Sequence, residues 1–335
     1  MKATKHIARS IIFPFLVGVG LEKLFPIFSK NKVLNLYYHG VVRENSNFFS
    51  PRHLHVNQFE KQLIYFKKYF DIISLEEAFE IKKGNKKLKR PAITISFDDG
   101  YKNNVDVALP LLIKHKIKAT FFVSGVCTEN NLDNLFWTDV LAFAKYFCKK
   151  QTIKLNGNTF VDFKEKNTGK SIKDFLKSKP VEYRDEAVSQ LIKLCNIDER
   201  KHELNQEIWR MMDSQDISKA HNSGFVDINT HGYKHYNLGL INMKDAVNDV
   251  IASKESLEKI LNKEINTICY PDGSYTRELI DSLSNLGITK HVSCDYLYPE
   301  DRKDWRILNR YGISNTTTYS SNIFFINLNF IKKTP

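Results

Sequence analysis

No two of the five cysteines, Cys127, Cys148, Cys195, Cys269 and Cys294, form a C-x-x-C pair, and the set is odd in number and scattered. That argues against a disulfide framework and against a thiolate zinc site, and leaves reduced, structural thiols. Long apolar runs are missing too. The stretch Ile11 to Leu21 is broken by Pro14, Gly18 and Gly20, whereas a membrane-spanning helix needs about 20 apolar residues. Lys2, Lys5 and Arg9 precede it as in a signal peptide, but no small-x-small cleavage site follows. Residues 1–29 are therefore expected to form a basic-apolar segment that lies on a membrane surface or packs as a plain helix. The expected location is cytoplasmic or membrane-peripheral rather than secreted. The formal charge is +12, yet there is no RNP-like aromatic strand and no Cys/His finger spacing. No nucleic-acid partner is expected, and the surplus reads as a lysine-rich solvated surface. No internal repeat stands out.

What is present is an ordinary folded composition, 42% apolar and 26% charged over 335 residues, enough for one enlarged domain over residues 30–320. Val33 to Tyr38, Ala92 to Phe97 and Ala119 to Val123 read as buried strands. Phe59 to Tyr69 has apolar residues at helical spacing, and Ser74 is placed to cap a helix carrying Glu76 and Glu77 in its first turn. Asn103 to Lys116 reads as a further helix. The alternation resumes with the strand Phe225 to Asn229, the helix Ala246 to Leu261, the strand Thr267 to Tyr270, the helix Thr276 to Leu286 and the strand Ile288 to Ser293. Between them, residues 128–222 are rich in Lys, Asp and Glu, with helical runs at Trp137 to Phe147 and Glu186 to Leu194 and one Asn156-Gly157 turn. This stretch is expected to be a helical insertion. Alternating strands and helices imply parallel pairing. The pattern suggests an incomplete barrel related to the TIM barrel, and an open doubly wound sheet would read similarly.

Two clusters carry chemistry. Asp98-Asp99-Gly100 ends an apolar strand, where α/β folds place their ligand sites. There one carboxylate can hold a metal while the other accepts a proton, although an Asp-Asp-Gly alone could equally be a chain-reversing turn. His231-Gly232-Tyr233-Lys234-His235 follows another strand. Its i, i+4 spacing would set both imidazoles on one side of a helical turn, as two ligands of one cation require. Two imidazoles and one carboxylate leave coordination positions for water and substrate.

These residues resemble the motifs of the polysaccharide deacetylases with a NodB-type homology domain, carbohydrate esterase family 4. Phe97-Asp98-Asp99-Gly100 is similar to the first motif, and Asn229-Thr230-His231-Gly232-Tyr233-Lys234-His235 to the second. The resemblance runs over roughly Val33 to Ser314 outside the insertion. It implies a distorted (β/α)7 barrel, with Asp98 as general base and Asp99, His231 and His235 holding a divalent metal, zinc first, with cobalt, nickel or manganese open. It also implies removal of an N-acetyl group from an amino sugar, in a surface polysaccharide or its glycolipid precursor.

Cys269-Tyr270-Pro271-Asp272-Gly273 resembles the third motif, a groove wall, which makes Tyr270, Pro271 and Asp272 expected substrate contacts. It lacks the usual arginine, and Arg310 is the replacement proposed to orient Asp98. Trp305 falls near the fourth motif and is expected to line the acetyl pocket. The family's C-terminal histidine acid is absent, since none follows His291. His39, similar to an N-terminal histidine in deacetylases of poly-N-acetylglucosamine export, is the expected general acid. Two rival readings stand beside deacetylation: a non-catalytic glycan-binding barrel, and a deformylase or deacetylase acting on a lipid-linked or nucleotide-linked sugar.

Overall fold

The run Ala92–Phe97 is buried at every position, as a strand must be when both faces of its sheet are covered. The computed structural model describes residues 12–18, 20, 32–44, 49–131, 134–148, 150–315 and 318–331. Most of the expected membrane-surface segment, residues 1–29, lies outside these. Eight strands follow one another around the molecule: β1 (Val33–Tyr38), β2 (Ala92–Phe97), β3 (Ala119–Val123), β4 (Val226–Thr230), β5 (Thr267–Cys269), β6 (Lys290–Ser293), β7 (Ile307–Asn309) and β8 (Tyr311–Gly312). Every pairing among them is parallel.

β7 and β8 are two halves of one strand separated only by Arg310. The first half pairs with β6 and the second with β1, which closes the sheet into a barrel of seven strand positions, the distorted (β/α)7 form rather than an open doubly wound sheet. The short strand Asp71–Ile72 pairs with the start of β2, while β3 meets β2 only at Ser96 and Phe97. The barrel is thus splayed at its amino end and tight at its carboxyl end.

The surrounding helices follow local chemistry. Ser74 and Glu77 form a reciprocal capping box at the start of Leu75–Lys82. Helix Met243–Leu261 begins on an Asn242 cap and buries Ala246, Val250 and Leu257.

The stretch expected to be a helical insertion is mixed. Besides helices Trp137–Phe147, Ile172–Lys177 and Val181–Cys195, it contains a three-stranded antiparallel sheet, Thr152–Leu155, Asn158–Val161 and Lys164–Glu165. It folds around its own apolar cluster, which includes Phe143, Phe160, Leu191 and Trp209. Helix Ser214–Asn222, counted with the insertion in the sequence, sends Ile217 and Ala220 into the main core and so belongs to the barrel.

Candidate functional site

After Phe97 the ladder continues for one residue, with the Asp98 amide donating to the Tyr38 carbonyl at 2.9 Å. The chain then turns through positive φ at Asp99 (77°) and Gly100 (99°). A Cβ on Gly100 would lie 2.8 Å from the Cys127 sulfur and 3.1 Å from Val123, so only glycine fits. Left-handed backbone at an aspartate costs on the order of 1–3 kcal/mol and persists where surrounding structure enforces it. Its effect here is to turn successive carboxylates into one pocket.

Both Asp99 oxygens are buried and accept no well-formed hydrogen bond among the described residues. Their nearest nitrogens are Nε2 of His231 at 3.4 Å and Nε2 of His235 at 3.2 Å from Oδ1. His231 donates from Nδ1 to the Cys269 carbonyl at 2.7 Å, which fixes the tautomer that leaves Nε2 free to ligate. The segment between the two histidines is a loop, not the helical turn expected, and His235 itself has φ 55°. Asp249 on helix Met243–Leu261 clamps this loop by accepting the amides of Tyr233 at 2.7 Å and Lys234 at 3.0 Å. The imidazoles converge by loop geometry, with ring centres 5.0 Å apart.

Ligand atoms of Asp99, His231 and His235 all lie within 4.8 Å of one another. An orphaned buried carboxylate flanked by two free imidazole nitrogens fits a divalent cation. Burial alone would raise the Asp99 pKa, but the two histidines outweigh it and hold the carboxyl well below the usual range.

Asp98 is held differently. Arg310 grips it in a fork, Nη1 to Oδ1 and Nη2 to Oδ2, both at 2.7 Å. The same guanidinium donates to Ser96 Oγ at 2.9 Å and contacts the Cys269 sulfur at 2.6 Å, with its plane over the ring of Tyr37. Burial pushes the Asp98 pKa up, and Arg310 with His231 more than reverses that. Asp98 therefore stays ionised and fixed in direction.

His39 directly follows β1, whose last residue is in register with the last residue of β2. It stands beside Asp98 at the neighbouring strand end. Burial lowers its pKa, and the charges of Asp99 and Asp98 partly offset this.

A family model described as "Polysaccharide deacetylase" matches residues 85–291. The chain belongs to the polysaccharide deacetylase family. No curated protein matches the sequence of this deacetylase-family chain. Among solved structures, the Streptococcus pyogenes deacetylase PplD is 15% identical, with TM-score 0.57 over 88% of this chain and 97% of that one. IcaB from Ammonifex degensii is 16% identical, with TM-score 0.57 over 89% and 97%. A de-N-acetylase from Aggregatibacter actinomycetemcomitans is 15% identical, with TM-score 0.55 over 89% and 99%. At these identities the three establish the shared fold.

Within that fold, not every expected substrate contact reaches the pocket. Tyr270 is buried, with its hydroxyl bonded to His291 Nδ1 at 2.8 Å and its ring stacked on Tyr275, so it is a core residue rather than a groove wall. Pro271 is buried beside it. Asp272 is exposed and pairs with Lys177 of the insertion at 2.8 Å. Trp305 precedes β7 and therefore lies at the amino end of the barrel, with Lys83 over its ring at 4.2 Å; the acetyl-pocket role assigned to it fails because the ligand site is at the opposite end. A cavity of about 440 Å³ also opens among the amino ends of β3, β4 and β5, away from the carboxylates.

Two contributors went unseen in the sequence. Cys269, taken only as part of a motif, touches both Arg310 and, through its carbonyl, His231. Arg52, from a loop with no motif, reaches Asp99 Oδ2 at 3.7 Å and forms an ion pair with buried Asp139 of the insertion. Tyr101 donates to the same Asp139 at 2.9 Å.

Proposed function

We propose that this chain is a metal-dependent hydrolase that removes the N-acetyl group of an amino sugar in a surface polysaccharide or its glycolipid precursor. The observation that carries the reading is the division of labour between adjacent carboxylates: Asp98 ionised and aimed by Arg310, Asp99 buried between two imidazoles with no well-formed hydrogen bond. A divalent cation held by Asp99, His231 and His235 would supply Lewis-acid polarisation of the amide oxygen and a water of lowered pKa. Asp98 takes the proton of the attacking water, and Arg310 keeps that carboxylate charged and pointed. His39, on the neighbouring strand end, delivers a proton to the departing amine. With Arg310 on the base, the argument for a non-catalytic barrel rests only on the missing C-terminal histidine.

Purified protein supplied with zinc or cobalt is expected to release acetate from N-acetylglucosamine oligomers. Asp98→Asn should cut kcat by about 10²–10⁴-fold, the usual contribution of a general base. Asp99→Asn should lose bound metal by elemental analysis. Undiminished turnover in Asp98→Asn would sink the mechanism. The reading also includes peripheral membrane contact through residues 1–29; among the described residues no helix is long and apolar enough to cross a membrane. Unchanged partitioning after deletion of that segment would count against the contact.

A further inference from the structure

A buried carboxylate of the insertion reaches the turn that carries Asp99. Asp139, in the first turn of helix Trp137–Phe147, is wholly shielded from water. Its two oxygens accept from the Tyr101 hydroxyl at 3.0 and 2.9 Å, and Oδ1 also pairs with Nη2 of Arg52. Tyr101 follows Gly100 in the chain, and Arg52 reaches back to Asp99. Asp139 therefore holds the Asp99-Gly100 bend from both sides, directly through Tyr101 and indirectly through Arg52.

Arg52 is tied at each of its side-chain nitrogens. Nε donates to Ser50 Oγ at 3.0 Å, Nη1 to Thr138 Oγ1 at 3.1 Å, and Nη2 to Asp139. Its guanidinium carbon lies 5.7 Å from the centre of the Tyr101 ring. A planar fork bound in this way points in one direction only. Nη1 keeps a second hydrogen, and this nitrogen stands 3.7 Å from Oδ2 of Asp99. The two oxygens of Asp99 thus face different neighbours. Oδ1 lies 3.4 and 3.2 Å from the imidazole nitrogens of His231 and His235, and Oδ2 faces the guanidinium.

We infer that Arg52 is a positioning residue of the metal site: the insertion clamps it through Thr138 and Asp139, and it holds Oδ2 of Asp99 so that Oδ1 is presented between the imidazoles. The inference rests on the metal site of the proposed function. Ligation through one oxygen leaves coordination positions for water and substrate, and partners that orient a ligating carboxylate govern metal affinity. The insertion is then a working part of the metal site. Charge alone predicts the opposite sign, because a guanidinium repels a nearby cation and its removal would tighten metal binding.

The test is competition between full-length, metal-free protein and a chromophoric chelator for zinc. Arg52→Met is expected to bind zinc about 10–100-fold more weakly than the parent, with the melting temperature of the metal-free protein measured alongside. Thr138→Val keeps the side-chain shape and removes the oxygen that accepts from Nη1. It should weaken zinc binding in the parent and have no effect in Arg52→Met. Affinity that is unchanged or tighter in Arg52→Met, or unchanged in Thr138→Val, would overturn the inference. If Arg52→Met does not fold, Thr138→Val alone decides on the same terms. A parent that binds no zinc fails the metal-site reading itself, and the inference with it. The expected zinc losses without acetate release from N-acetylglucosamine oligomers would fail the deacetylase reading and leave the positioning role standing.

Discussion

Arg310 and Asp98 form an ion pair whose members are almost wholly shielded from water. Removing one partner of such a pair strands the other's charge, at a cost of roughly 3–5 kcal/mol. Arg310→Met is expected to lose about that much unfolding free energy in urea, and to lose far less when introduced into Asp98→Asn. Equal losses in both backgrounds would mean that the arginine stabilises through its other contacts, with Ser96, Cys269 and the rings of Tyr37 and Phe122. Asp304 makes a pH prediction far from the site. Burial would raise its pKa, but hydrogen bonds from Arg306 and Arg277 pull it well below the ordinary range. Because the folded value is the lower one, its stabilisation is complete above about pH 4 and disappears as pH falls through the folded value. Acid unfolding followed by circular dichroism should therefore start at higher stability at neutral pH and fall more steeply in the parent than in Asp304→Asn. At this scale, the residues legible in the sequence were those with a strand end or a motif to mark them. Arg52 and Asp139 meet only in three dimensions, and nothing local announces either.

Strands were easy to find where burial is two-sided. Val33–Tyr38, Ala92–Phe97 and Ala119–Val123 have the boundaries their apolar runs imply. The histidine segment was misread as helical because spacing alone cannot distinguish a helical turn from a loop held by Asp249, and either brings two imidazoles together. In the insertion, the signal was present but unused. Asn156 and Gly157 both have positive φ, 46° and 77°, as a two-residue hairpin turn requires. The flanking strands are four residues each, with exposed and buried positions mixed, too short to outweigh the helices on either side. The tight bend at Asp99-Gly100 carries the element-level prediction. Gly100→Ala combines a left-handed backbone with a clash against Cys127, and should destabilise by at least about 1 kcal/mol in chemical denaturation. It should also weaken zinc binding, because the bend sets the direction of Asp99. A glycine-like stability in this variant would show that the turn can relax.

For the whole molecule, the proposed metal site joins parts of the chain that are distant in sequence. Asp99 follows β2 and the histidines follow β4, so an ion bound to all three favours the folded state only. Linkage predicts a gain of about 4 kcal/mol when free metal exceeds its dissociation constant a thousandfold. Zinc should raise the melting temperature of the parent in calorimetry, and should leave that of Asp99→Asn nearly unmoved. The split final strand adds a different dependence. Its first half completes the sheet against β6 and its second half against β1, and the single residue between them is the arginine that grips Asp98, the proposed base. The seam of the barrel and the group that orients the proposed base are thus one residue. A chain that has formed every earlier strand but not this one would hold the three proposed metal ligands and still lack the arginine on the proposed base, so under the proposed function competence for hydrolysis depends on the last stitch of the fold.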